Sequence, residues 1–272
     1  MDWLDALRQL RERRIPAVIV TLAMVRGHAP RNGGAKMVIS PDDQFGTIGG
    51  GNLEATATDR ARAMLAEGAA EPELLTLNLS DKATTDYGVQ CCGGEVTIML
   101  EPVRVVPSVA VFGMGHVGLE LARILSRHEL ELHLVDSRTE MLDEARLSPV
   151  IDGAVARVVP HHAPVPEAAL LDIPRGAHVL VMTHDHVEDL AIVDQSLRSD
   201  VPGSIGLIGS TSKWVRFRKK LTEAGHSEED LQRVTTPIGI PEVAGKQPAV
   251  IAVSVAARLL QLIEEAAPVD RN

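Results

Sequence analysis

Leu4, Leu7 and Leu10, with Arg11 beside them, recur at helical spacing and predict a short amphipathic helix that Ile15-Pro16 ends. Residues 17–25 are rich in Val, Ile and Thr and predict a buried strand. A loop spans 26–34. Strands then follow at 37–39 and 45–48, on either side of a turn at Asp42-Asp43. Gly49-Gly50-Gly51-Asn52 leads into a helix from Leu53 to about Ala66, with Asn52 as its N-cap. Residues 74–79 and 95–100 read as two more strands. Strands and helices mix here without regular alternation, which predicts a small α+β domain over 1–104.

Two prolines in the stretch 101–107 mark a boundary, and beyond it the pattern becomes regular. Strands are expected at 109–112, 132–135, 155–159, 178–182 and 205–208. Helices are expected at 117–127, 139–147, 187–198 and 212–224. Short apolar strands alternating with helices predict a parallel sheet covered on both faces. The fold class is therefore α/β, a Rossmann-like parallel-sheet domain over 108–247 joined to the smaller mixed α+β domain. A last helix within 248–272 follows the Gly- and Pro-rich loop 236–247.

Composition narrows the partners. The chain has 272 residues, of which only six are aromatic (Phe 3, Trp 2, Tyr 1), and its net charge is −10. Such a chain has almost nothing on which to stack bases, and no electrostatic grip on a phosphate backbone, so nucleic acid is excluded as a partner. The two cysteines, Cys91 and Cys92, are adjacent; they form neither a spaced disulfide framework nor a CxxC zinc pattern. Two free thiols, an acidic N-terminus unlike a signal peptide, and no apolar run of roughly 20 residues predict a cytoplasmic protein off the membrane.

Chemistry concentrates at glycines. Gly113-Met114-Gly115-His116-Val117-Gly118 follows a strand, opens a helix, and is followed 18 residues after Gly118 by Asp136 at the end of the next strand. This is a phosphate-binding pattern: glycines let the backbone approach a diphosphate, and the helix start supplies N–H groups and the positive end of its dipole. Asp136 would accept hydrogen bonds from a ribose diol or another polyhydroxyl group. The same pattern also fits a Rossmann-type crevice that binds no nucleotide. Cys91-Cys92-Gly93-Gly94 is either a thiolate site, for a soft metal or sulfur, or a pair of small buried hydrophobes. The passage 46–54, with Gly50 at its centre, is a second anion site or only a tight turn. Arg31 is a donor to phosphate or carboxylate, or simply exposed. His184, in Thr183-His184-Asp185-His186 after a central strand, reads as a polar crevice wall rather than a metal ligand. The passage 209–213 either holds a phosphate or caps the next helix.

Several blocks together resemble the XdhC/CoxI family. They are 27–31 with 33–37, 46–54, 90–94, 111–118, 181–186, 205–210, 236–240 and 245–253, in order across nearly the whole chain. His28 departs from the pattern, where serine is the more usual residue. The resemblance implies a chaperone of the molybdenum cofactor (molybdenum bound to molybdopterin), without turnover of its own. Such a protein shields the cofactor, supports its sulfuration by a cysteine desulfurase and delivers it to apo-xanthine dehydrogenase. Proteins of molybdenum cofactor biosynthesis would be partners too. On this reading Cys92, with Cys91 second, lies near the molybdenum. Gly93, Gly113, Gly115, Gly118, Asp136, Arg31, Gly50 and His184 complete the expected cofactor-binding set. Oligomeric state stays open, a homodimer included. Two other classes compete: an NAD(P)-dependent oxidoreductase with His184 or His186 as proton donor, and a nucleotide-sensing regulatory protein.

Overall fold

A computed structural model of the chain describes residues 2–78, 94–243 and 245–266. Cys91, Cys92 and Gly93 lie outside the described residues. The chain divides between Val105 and Val106 into two compact units, the second running from Val106 to Glu264.

The first unit contains α1 (Trp3–Glu12), β1 (Ala17–Arg26), β2 (Lys36–Ile39), β3 (Gln44–Gly46), α2 (Gly51–Glu67), β4 (Glu73–Asn78) and β5 (Glu95–Val103). Its five strands form an antiparallel sheet in the order β3-β2-β1-β5-β4. The two-residue period of β1 decides which helix each side chain meets. Val18, Val20 and Leu22 pack with Leu53, Ala57, Ala61 and Met64 of α2. Ala17 and Ile19 belong to the cluster of Leu7 and Leu10 from α1. Each such side chain, fully buried, contributes about 1.5–3 kcal/mol for the larger aliphatic ones. Helix α2 starts two residues before the expected position: Gly50, at φ 79°, is its N-cap, and Asn52 lies buried within the first turn.

The second unit alternates as its pattern predicts. Its elements are β6 (Ser108–Phe112), α3 (His116–Leu125), β7 (Glu131–Asp136), α4 (Glu144–Ile151), β8 (Arg157–His162), β9 (Ala177–Val181), α5 (His186–Arg198), β10 (Pro202–Leu207), α6 (Thr211–Glu223), α7 (Glu228–Gln232), β11 (Val234–Thr235) and α8 (Pro248–Ala266). Six parallel strands form one sheet in the order β11-β10-β9-β6-β7-β8. Counted from β6 this is 3-2-1-4-5-6, the doubly wound order, whose reversal point lies between β6 and β9. Val109 and Val111 face a core shared with α3, α4 and α8. Ala110 and Phe112 face the opposite core, with α5, α6 and α7. The sheet is therefore covered on both sides, and all five residues of β6 are buried.

Local departures have local causes. The helix expected at 139–147 is instead a 3-10 turn (Thr139–Leu142) followed by α4, because Asp143 is extended (ψ 141°) and its carbonyl accepts from Arg146 and Leu147 N–H. Strand β8 begins two residues later than expected and contains Pro160, which a sheet edge tolerates because the missing N–H would face outward. No helix among the described residues is long and apolar enough to cross a membrane.

Candidate functional site

The carboxyl ends of β6 and β9 flank the point where strand order reverses, and open α/β sheets bind ligands there. Three glycines shape the loop after β6, each for a different reason. Gly113 has φ 102°, and a Cβ there would stand 2.4 Å from the Met182 carbonyl oxygen. Only glycine lets this turn pass so close to the chain leaving β9. A Cβ on Gly118 would lie 2.0 Å from the Gly113 oxygen, so α3 approaches the loop through that missing side chain. Gly115, the N-cap of α3, has nothing within 4 Å of its would-be Cβ. Its open side is where a ligand can reach the backbone. The first intrahelical bond runs from Leu119 N–H to the Gly115 oxygen (3.0 Å). The N–H groups of His116, Val117 and Gly118 thus start α3 outside the helical ladder and carry the positive end of its dipole.

Asp136 ends β7 beside this loop, but its carboxylate is already engaged. Oδ2 accepts from Met114 N–H at 2.7 Å and from Arg138 Nη2 at 3.0 Å. Oδ1 accepts from Arg138 N–H at 3.0 Å and Arg138 Nε at 2.9 Å. Burial pushes this carboxyl upward; the Arg138 guanidinium and the Arg138 and Met114 amides outweigh it and hold the pKa below the ordinary aspartate value. Four donors leave little acceptor capacity for the sugar diol that the sequence suggests. On the far side of the same loop residue, Arg146 Nη2 from α4 donates to the Met114 oxygen at 3.0 Å.

The remaining crevice groups come from the chain after β9. His184 is about half exposed, with Nδ1 3.6 Å from Glu188 Oε2. Glu188 Oε1 accepts from Ser137 Oγ at 2.6 Å, and Ser137 follows β7. Since β6 lies between β7 and β9, this bond joins the two sides of the β6 terminus. The 183–186 turn is held from beneath by Asp189, whose Oδ1 accepts from Thr183 N–H (2.9 Å) and Thr183 Oγ1 (2.8 Å). Asp189 Oδ2 forms a buried ion pair with Lys213, which also donates to the Ile208 oxygen at 2.9 Å. In the passage 209–213, the capping alternative is therefore the observed one. Ser210 caps α6, and Lys213 points inward. No group of three or more His, Cys, Asp or Glu among the described residues can hold a metal ion.

In the first unit a second set of loops converges. A Cβ on Gly49 would overlap Pro30 (2.3 Å), and one on Gly94 would meet the His28 oxygen at 2.3 Å. The loop carrying Arg31, the Gly50 loop and the backbone at Gly94 thus pack at one end of the sheet. Arg31 is exposed there. The anion site expected around Gly50 is filled from within. Glu54 Oε1 accepts from the N–H groups of Ile48 (3.0 Å), Gly49 (3.1 Å) and Gly50 (2.7 Å), and from Thr47 Oγ1. Burial raises the Glu54 pKa, and the Thr47 hydroxyl with the three amides more than reverses it. The glycine nest exists, but its anion is a side chain one helical turn away.

In the sequence Glu54 and Lys213 stand only as members of motifs, and no pattern points to Arg138, Arg146, Glu188 or Asp189. Arg138 was within reach, being two residues past the strand-ending acid. The others find partners across the fold, and no spacing announces them.

Residues 109–259 match the model of the XdhC Rossmann domain, and residues 10–78 match that of the XdhC and CoxI family. YqeB of Escherichia coli (strain K12), described as uncharacterized, is 26% identical over 264 residues, which cover 96% of this chain. The chain spans only 46% of the length of YqeB. PaoD of the same organism, named a molybdenum cofactor insertion chaperone, is 24% identical over 248 residues, covering 82% of this chain and 76% of PaoD. Among solved structures, one described as a xanthine dehydrogenase from Bacillus halodurans matches 100% of this chain and 98% of its own, with a TM-score of 0.48 and 19% identity. The Rossmann-domain match alone covers more than half of the chain and includes the whole glycine loop, and this chain belongs to the XdhC and CoxI family.

Proposed function

We propose that this protein is a molybdenum cofactor-binding chaperone, which holds the cofactor as cargo and inserts it into a partner enzyme. The observation that carries the reading is the loop at the start of α3. It has an open Gly115 and three helix-start N–H groups, in a family with a relative named for cofactor insertion. Molybdopterin ends in a phosphate, which suits those amides and the helix dipole without any basic patch. A net charge of −10 is then no obstacle. The pterin ring offers N–H donors, for which Glu188 and His184 are acceptors at the crevice wall.

The finer steps follow the family resemblance. Cys92, with Cys91 second, supplies a soft thiolate near the molybdenum. The chaperone shields the centre, supports exchange of an oxo for a sulfido ligand by a cysteine desulfurase, and delivers the cofactor to apo-xanthine dehydrogenase. The test adds molybdenum cofactor or NAD(P)H to the purified protein and measures stoichiometric binding and turnover. Tight capture of the cofactor without turnover is expected, and Cys92→Ala is expected to lose cofactor loading or sulfuration. Hydride transfer from NAD(P)H would establish an oxidoreductase instead, and nucleotide binding alone a sensor.

A further inference from the structure

We propose that Asp136 is a positioning residue for the ligand loop rather than a contact to the ligand, and that Arg146 is its counterpart across Met114. The inference rests on the reading of the α3 loop as the cargo's phosphate site, and it concerns how that site is held.

Two peptide groups meet at Met114. The N–H of the Gly113–Met114 peptide is taken by Asp136 Oδ2 at 2.7 Å, and the carbonyl of the Met114–Gly115 peptide by Arg146 Nη2 at 3.0 Å. A trans peptide is planar, so its N–H and C=O point opposite ways. Fixing the Met114 N–H therefore turns the Gly113 oxygen away from β7, and that oxygen is the atom 2.0 Å from a would-be Cβ on Gly118. Fixing the Met114 oxygen toward α4 likewise turns the Gly115 N–H away from Arg146. Both planes on which the loop's shape depends are set before any ligand arrives. A glycine-rich loop left to itself would lose this ordering entropy on binding, so its pre-organisation favours affinity.

Charge supports the same division of labour. A bare carboxylate this close to the loop would repel a phosphate. Arg138 neutralises it through two side-chain bonds, and Arg146 adds a positive charge beside the loop. The Asp136 side chain is 2% exposed, and its oxygens already serve four donors. It acts on the ligand through Met114.

The test combines amide exchange by NMR with capture of molybdenum cofactor, in the full chain. In the wild type the Met114 amide is expected to be protected. Asp136→Ala is expected to abolish that protection and to weaken cofactor capture about tenfold, although this cofactor carries no ribose. Asp136→Asn keeps an acceptor oxygen for Met114 and should restore much of the protection. Arg146→Ala should shift the Gly115 amide resonance and weaken capture similarly. Arg138→Ala should leave Met114 protected but weaken capture in a salt-dependent way, because the carboxylate charge is uncovered. Should Asp136→Ala fail to fold, the Asn and Arg146 variants carry the comparison. Unchanged capture by Asp136→Ala, an unprotected Met114 amide in the wild type, or stronger capture by Arg138→Ala would overturn the proposal. If wild-type protein captures no cofactor, the functional reading fails, and the Met114 and Gly115 amides still decide whether Asp136 and Arg146 set the loop.

Discussion

Gly115 and Gly118 stand three residues apart in one motif, yet side chains at the two positions would meet different things. At Gly115 the space is open and the backbone is extended at φ −68°, so Gly115→Val should fold, at a cost of about 1 kcal/mol from the poorer N-cap. Its isopropyl group would cover the backbone where ligand must approach. Cofactor capture is expected to fall by about tenfold or more while the thermal midpoint stays near the wild type; a folded Gly115→Val that captures normally puts the phosphate elsewhere. Gly118→Val is the poorer probe, since its Cβ collides with the Gly113 oxygen and stability falls first. The motif was legible at this scale, but the duties of its residues were not. Asp136 reads as a ligand residue in one dimension, and in three its carboxylate accepts from Met114 N–H and from Arg138. Glu54 is likewise one letter in a glycine passage until its carboxylate is found in the nest that those glycines make.

Between elements, the Asp189–Lys213 pair ties the turn after β9 to the start of α6, and both partners are almost fully buried. Lys213→Met alone would leave a buried carboxylate without its counter-charge, an expected loss of about 3–5 kcal/mol. The double variant Asp189→Leu/Lys213→Met should lose much less than the two single variants together. Urea unfolding of all four proteins closes the cycle, and additive losses would deny the coupling. A second inter-element contact gives a pH dependence. His133 Nδ1 and His161 Nε2 share one hydrogen bond at 2.8 Å between β7 and β8. Burial holds the His161 pKa below its usual value, with Asp172 opposing in part. The unfolded chain therefore takes up this proton first. The neutral ring's contribution is complete above about pH 6.5 and drains away as pH falls from there toward the folded value. Urea midpoints measured from about pH 7 down to 5.5 should fall, and His161→Asn should flatten the fall. The slope that remains belongs in part to His178, which burial shifts the same way. An unaltered slope in His161→Asn would remove this histidine from the account.

Each unit of the molecule has its own aliphatic core, one between α2 and the antiparallel sheet, the other on both faces of the parallel sheet. The two tryptophans happen to be divided between them, Trp3 in α1 and Trp214 in α6. Trp3→Phe leaves a reporter of the second unit, and Trp214→Phe one of the first. Fluorescence-detected unfolding in urea is expected to give different midpoints for the two variants; coincident midpoints would mean a single cooperative transition. The type and order of most elements among the described residues, the change from irregular to alternating pattern near residue 105, and the glycine fingerprint are all legible in the sequence. These depend on periodicity and on backbone freedom, which are local properties of the chain. Tertiary structure alone decided that the strands run β11-β10-β9-β6-β7-β8, that α8 closes the same core as α3, and that Glu54 and Asp136 each grip a glycine loop from within. The same alternation of apolar strands and helices is compatible with several strand orders. A carboxylate finds its donors by proximity in the folded chain, and spacing along the chain carries no record of that proximity.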